Sequence, residues 1–173
     1  MGQGFKLYVL KRDLRRYLKV QKNSNILCAL FFLFASVGIL GTSGAALAAT
    51  VDIEGLDTLR FSVVHIDAKP GEKLTVNLTN KTSLPPVAMS HNFVLLKKGA
   101  DPSAIANAGV QAKDNGYIPK NMADEIIAHT GLVSSGETKS VTFNAPKEPG
   151  DYTYICTFPG HYAAGMKGTL TVK

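Results

Sequence analysis

Downstream of residue 50, apolar and polar residues alternate in short runs. Leu74, Val76 and Leu78 alternate with Thr75, Asn77 and Thr79, the period of two that turns one strand face to a core and the other to water. The same period returns at Val141 and Phe143, at Tyr152, Tyr154 and Cys156, and at Leu170 and Val172, and strand-like sequence begins at Val51. Turn sequences separate the runs at Lys69-Pro70-Gly71-Glu72, Ser134-Ser135-Gly136-Glu137 and Glu148-Pro149-Gly150-Asp151. Short strands so punctuated predict an all-β sandwich or barrel. One stretch departs from the pattern. Asp101-Pro102 reads as an N-cap followed by proline at the first helical position. The alanine-rich sequence beyond it predicts a helical flap over residues 101–125, with Gly109 its weak point.

Upstream of Val51 the pattern is that of an export signal. A basic segment ends at Lys22, an uncharged apolar run covers Ile26 to Leu40, and Ala46-Leu47-Ala48 supplies small residues for cleavage. The expected division is a signal peptide over residues 1–48 and one domain over residues 49–173, exported to the periplasm or cell surface. Left uncut, the uncharged stretch from Asn23 to Thr50 is long enough to span a bilayer and would tether the domain to a membrane. Strand-like sequence at Val51 leaves no linker for such a tether, which favours cleavage. Arg15-Arg16 offers a twin-arginine alternative to the general export route, but Tyr17-Leu18-Lys19 sits one residue too close for a good match.

Charge sharpens this division. The chain carries 19 Lys and Arg against 13 Asp and Glu, a formal charge of +6. Seven of the basic residues and one acid fall within residues 1–50, leaving 12 of each sign beyond. The basic balance therefore belongs to the leader, and nucleic-acid binding, which needs clustered Lys and Arg, is excluded.

Cysteine then raises a chemical question. Cys28 lies inside the leader, so Cys156 is alone in the mature domain. A solitary thiol in an oxidising compartment forms no internal disulfide and calls for another use. Its surroundings supply one. In Cys156-Thr157-Phe158-Pro159-Gly160-His161-Tyr162-Ala163-Ala164-Gly165-Met166, a thiol, an imidazole and a thioether share one loop. Pro159-Gly160 provides the bend, and flanking strands fix the ends. His91, at an expected strand start, is the natural fourth ligand. Two imidazoles, one thiolate and a weak thioether form the ligand set of electron-transfer copper. Structural zinc sites usually take at least two cysteines and no methionine, and a binuclear copper centre would also need a second cysteine.

From Val51 to Lys173 the sequence resembles azurin, and its spacing to Met166 resembles auracyanin. The segments that carry the likeness are Cys156–His161, Met166–Thr171, Val51–Ile53, Thr75–Leu78, Ile127–Thr130 and Ser140–Phe143. The resemblance implies an eight-stranded Greek-key cupredoxin sandwich with one type 1 copper, cycling between Cu2+ and Cu+, near one end. It implies His91, Cys156 and His161 as ligands, Met166 as axial ligand and the Ser90 backbone carbonyl as a distant fifth contact. It further implies that Asn92 ties the ligand loops together, while amide hydrogen bonds reach the Cys156 sulfur. Three features depart from azurin. Four residues rather than three separate His161 from Met166, Ser90 replaces a glycine, and the azurin disulfide is missing.

The remaining histidines, His65 and His129, are expected at ordinary surface or strand positions, and Met89 and Met122 have no loop partners. Asn77-Leu78-Thr79 and Asn80-Lys81-Thr82 are glycosylation sequons by letter only and receive no role. Apolar residues flank His161 (Phe158, Pro159, Tyr162, Ala163, Ala164), and Leu84-Pro85-Pro86-Val87 precedes His91. These predict an apolar patch through which a redox partner, a cytochrome or a membrane electron-transfer complex, would dock. The expected function is electron transfer through the His161 edge. An enzyme with further coppers would need more than the four histidines present. Copper storage or delivery without redox turnover is the alternative.

Overall fold

The computed structural model describes residues 48–173. The expected leader up to residue 47, with Arg15-Arg16 and Cys28, lies outside the described residues. Among those described, no helix is long and apolar enough to cross a membrane.

Two sheets face each other. The first has the order β2-β1-β4-β7, built from β1 (Ala49–Leu56), β2 (Arg60–Phe61), β4 (Lys73–Asn80) and β7 (Thr138–Asn144). The second has the order β3-β9-β8-β5-β6, built from β3 (His65–Ala68), β5 (Val94–Leu96), β6 (Ile126–His129), β8 (Gly150–Ile155) and β9 (Lys167–Val172). β2 and β3 are separated only by Ser62-Val63-Val64, so one passage of chain leaves the first sheet and joins the second. Taken as one strand, that passage gives the eight-stranded sandwich expected.

Alternation explains which side chains lie between the sheets. Leu74, Val76 and Leu78 of β4 are buried there with Ile53, Phe61, Tyr152, Tyr154, Leu170 and Val172. Outward partners form polar cross-strand pairs, such as Thr75 with Thr142 at 2.9 Å and Thr79 with Thr138 at 2.7 Å. β5 breaks the rule because both its faces are covered. Phe93 and Leu95 enter the main core, whereas Val94 and Leu96 join Ile105, Ile118 and Ile155 in a smaller cluster. Cys156 follows β8 on the core-facing side, in step with Tyr152 and Tyr154.

The flap supplies that smaller cluster. It consists of α1 (Pro102–Val110) and two 3-10 turns, Lys113–Asn115 and Lys120–Glu125. Asp101 caps α1 by accepting from the amides of Ser103 at 2.8 Å and Ala104 at 3.3 Å. Gly109, unfavourable for a helix interior, is required by packing. A Cβ there would stand 2.7 Å from the Tyr117 carbonyl oxygen and 3.2 Å from Thr157 Cβ. The helix thus lies directly against the residue that follows Cys156.

Candidate metal centre

Three donors converge near one end of the sandwich. His91 Nδ1 and His161 Nδ1 are 3.2 Å apart, and Cys156 Sγ is 3.5 Å from His161 Nδ1. The donor atoms of all three residues lie within 4.8 Å of one another. Nitrogen and sulfur atoms each about 2.0–2.3 Å from a shared metal stand roughly 3.3–3.6 Å apart at tetrahedral angles. The spacing therefore suits one ion and leaves no room for a second. His91 and Cys156 are fully buried and His161 is 4% exposed, so the site is dry.

Burial decides the protonation states. It lowers the pKa of both His91 and His161 from 6.5 to about 4, and His161 is pushed down further by its neighbour His91. Both rings are neutral at pH 7, the form that ligates metal. Burial also pushes the Cys156 thiol up from 9.0 to about 12, opposed by the backbone amides of Asn92 and Phe158, which donate to the sulfur. In the metal-free protein this thiol keeps its proton, and a cation must displace it to obtain a thiolate.

Each donor is placed by its own local structure. His91 is not at a strand start. It lies three residues before β5, in an isolated bridge where its amide donates to Val133 O at 3.1 Å and Val133 N donates back at 2.8 Å. Its Nε2 is buried without a hydrogen-bond partner among the described residues, so packing alone holds that edge of the ring. Gly55 at the end of β1 provides that packing. A Cβ on Gly55 would collide with His91 Cδ2 and stand 2.8 Å from its Cγ. Gly55→Ala is therefore expected to shift the His91 ring, destabilise the fold by about 1–3 kcal/mol through overpacking, and weaken metal binding more than tenfold. Thermal denaturation and a copper titration of the variant check both effects.

Asn92 joins the two ligand loops. Its Oδ1 accepts from Thr157 N at 2.8 Å, and its Nδ2 donates to Thr157 Oγ1 at 2.9 Å and Gly116 O at 3.1 Å. Thr157 Oγ1 in turn donates to Tyr117 O at 2.7 Å. Every polar atom of this buried knot is used, so it rigidifies both loops. Asn80 does the same for the approach to His91, its Nδ2 donating to Met89 O at 3.1 Å and Val133 O at 3.0 Å. The Asn80 sequon is thereby explained as architecture, since its amide is fully buried.

Met166 is fully buried in the same apolar cluster as Cys156. Its amide accepts no freedom of its own: it donates to His161 O at 2.9 Å, while Cys156 N donates to Met166 O at 3.1 Å. Ser90, also buried, directs its hydroxyl to Pro86 O at 2.8 Å. Among the described residues its carbonyl accepts no hydrogen bond. The other candidates stand apart. His65 is exposed on β3 and bonded to Asp67 at 3.1 Å, and His129 is exposed with Nδ1 3.0 Å from Thr130 O. Met89 is half-buried, and Met122 is half-buried against the smaller apolar cluster under the flap. Sequence reasoning passed over Gly55 and Asn80, although a glycine in step with inward-facing Val51 and Ile53 is a usable signal.

Comparisons with known proteins agree with this geometry. Residues 47–173 match the family described as copper binding proteins, plastocyanin/azurin family. Azurin of Alcaligenes faecalis is 42% identical over 126 residues, covering 71% of this chain and 97% of that protein. Auracyanin-B of Chloroflexus aurantiacus is 39% identical over 127 residues, covering 72% of this chain and 52% of that protein. Among solved structures, auracyanin A, described as a "blue" copper protein from Chloroflexus aurantiacus, superposes with a TM-score of 0.66 at 35% identity, covering 73% of this chain and 100% of that one. With two neutral imidazoles and one cysteine sulfur gathered in a dry pocket of a matching sandwich, the chain belongs to the plastocyanin/azurin family of copper-binding proteins.

Proposed function

We propose that residues 49–173 form an exported one-electron carrier, cut from a signal peptide at residues 1–48 and working in the periplasm or at the cell surface. His91, Cys156 and His161 would hold one type 1 copper, with Met166 axial and the Ser90 carbonyl a weak further contact. Copper would supply the Cu2+/Cu+ couple. The observation that carries this reading is the convergence of two neutral imidazoles and one thiol, spaced for one ion, in a pocket closed to water. The protein's part is to keep that geometry fixed. The Asn92–Thr157 knot, the Val133 bridge and the Gly55 contact hold the donors, and the Asn92 and Phe158 amides favour the ionised sulfur.

Electrons would pass through the His161 edge, the least covered of the three ligands. Pro159, Ala163 and Ala164 are exposed beside it, and Val87, 86% exposed, and Leu84, 43%, lie on the loop leading to His91. Such uncharged side chains suit weak apolar docking of a cytochrome or a membrane electron-transfer complex.

A copper titration followed by visible absorption tests the reading. One equivalent of Cu(II) should produce an intense blue thiolate-to-copper band that bleaches with reductant and returns on reoxidation. A colourless protein, or one that takes zinc in preference, overturns it. Release of the metal on reduction would instead favour copper delivery.

A further inference from the structure

The lengthened turn between His161 and Met166 has a partner on a distant strand. Within the turn, Ala164 N donates to Gly160 O at 2.9 Å, Gly165 N to Tyr162 O at 2.8 Å and Met166 N to His161 O at 2.9 Å. These bonds close the loop on itself. Among the described residues, the hydrogen bond that ties its apex, residues 163–165, to another strand comes from Arg60 of β2, 104 positions away, whose Nη1 donates to the Ala164 carbonyl.

The fit is close. The Arg60 Cζ, Nη1 and Nη2 atoms stand 3.0, 3.0 and 3.1 Å from where a Cβ on Gly165 would be. Three nearly equal distances mean that the guanidinium lies face-on over this glycine. Gly165 also has a φ of +103°, a conformation that residues with side chains rarely adopt. On the other side, Nη1 donates to Leu59 O at 2.8 Å. Leu59 is one of two non-glycine residues with positive φ among those described, at 57°, a conformation that costs of order 1 kcal/mol. The β1–β2 turn thus carries backbone strain where it presents its arginine to the ligand loop. Gly55, which packs against His91, lies in β1 two residues before that turn, so one short stretch of chain reaches both segments.

We infer that Arg60 is a positioning residue for Met166. Its guanidinium clamps the apex of the longer turn and fixes the thioether relative to His91, Cys156 and His161. This inference rests on the copper reading above. A planar, multi-donor group suits the task, because it can bond two carbonyls and cover the glycine at once, which an ammonium cannot do.

The test compares the wild-type chain with Arg60→Met and Arg60→Lys. In the metal-free proteins, amide hydrogen exchange at Ala164 to Met166 should quicken about tenfold in Arg60→Met, as expected for losing a hydrogen bond to a charged donor. After loading with Cu(II), Arg60→Met should show altered relative intensities of the thiolate-to-copper bands and an altered electron paramagnetic resonance spectrum. A chelator should remove its copper about tenfold faster, the low end of the loss for an outer partner of a metal ligand. Arg60→Lys should keep the charge without restoring the spectrum. Unchanged exchange in Arg60→Met overturns the clamp, whatever the copper does. Faster exchange with an unchanged copper spectrum overturns the link to Met166, as does full rescue by lysine. Absence of a blue band in the wild type sinks the copper reading and the ligand role of Met166 together, while the exchange result still judges the clamp.

Discussion

Replacing Cys156 by serine is expected to abolish the blue band and to lower copper affinity by well over a hundredfold, while the metal-free domain stays folded. In the proposed copper centre the sulfur is the soft, charge-donating member of the donor set, and the blue band would arise from its transition to copper. A serine hydroxyl is a harder donor that does not ionise in a pocket where burial already raises the cysteine pKa to about 12. The loss should therefore exceed the 10- to 100-fold typical of removing a mere outer partner. Folding should survive because the two amides that donate to the sulfur, from Asn92 and Phe158, can donate equally to a hydroxyl oxygen. The cost in stability is then about 1–2 kcal/mol for a buried hydroxyl. Calorimetric titration, visible spectra and circular dichroism melting read the three quantities. A variant that keeps the band would remove Cys156 from the site.

The metal-free protein should lose stability steeply in acid. Burial holds the folded-state pKa of His91 and His161 near 4, against an ordinary 6.5. Below pH 6.5 the unfolded chain takes up protons that the folded chain refuses. The stability present above 6.5 is accordingly lost as pH falls from 6.5 to 4, at of order 3 kcal/mol for each ring. Two such losses approach the whole stability of an ordinary domain, so unfolding is expected near pH 4. The alkaline side is governed by Cys156, whose folded pKa is raised from 9.0 to about 12. Stability present below pH 9 is lost between 9 and 12, by of order 4 kcal/mol. Denaturant titrations in the presence of a chelator at pH 4.5, 7.5 and 10.5 test both limbs. Copper should remove the alkaline limb, because its sulfur ligand is already ionised. A flat profile from pH 4.5 to 7.5 would show that the two histidines are not buried in neutral form.

What could be read from the sequence follows the physics of each element. β4, β8 and β9 each bury one face and β7 half-buries one, so their period of two is visible in the letters. β5 is covered on both faces, by the core and by the flap, and its Val94-Leu95-Leu96 has no period to read. Cys156 and His161, which the structure brings together with His91, are readable because they lie close in the chain with Met166 in a chemically unusual combination. His91 is picked out by type and resemblance, but its placement in a bridge depends on Val133, 42 residues away. Gly55 touches a residue distant in sequence, so its place in step with Val51 and Ile53 marks a close approach without naming His91 as what approaches. Arg60, whose contact with Ala164 spans 104 positions, has no local pattern to mark it. Gly109 is a different case. Its helix-weakening character was visible, and only the packing against Tyr117 and Thr157 gives the reason.

The place of β9 bears on how the chain reaches its native state. This strand, the last of the domain, lies inside its sheet between β3 and β8, and its parallel pairing joins His65 to Thr169. Neither neighbour can complete its hydrogen bonds until the final segment arrives, so little stable structure is available to a growing chain. A topology dominated by such distant pairings folds in milliseconds to seconds rather than microseconds. Assembly of the His91, Cys156 and His161 cluster therefore waits on the final segment, because Cys156 and His161 lie between β8 and β9, which pair only once that strand arrives.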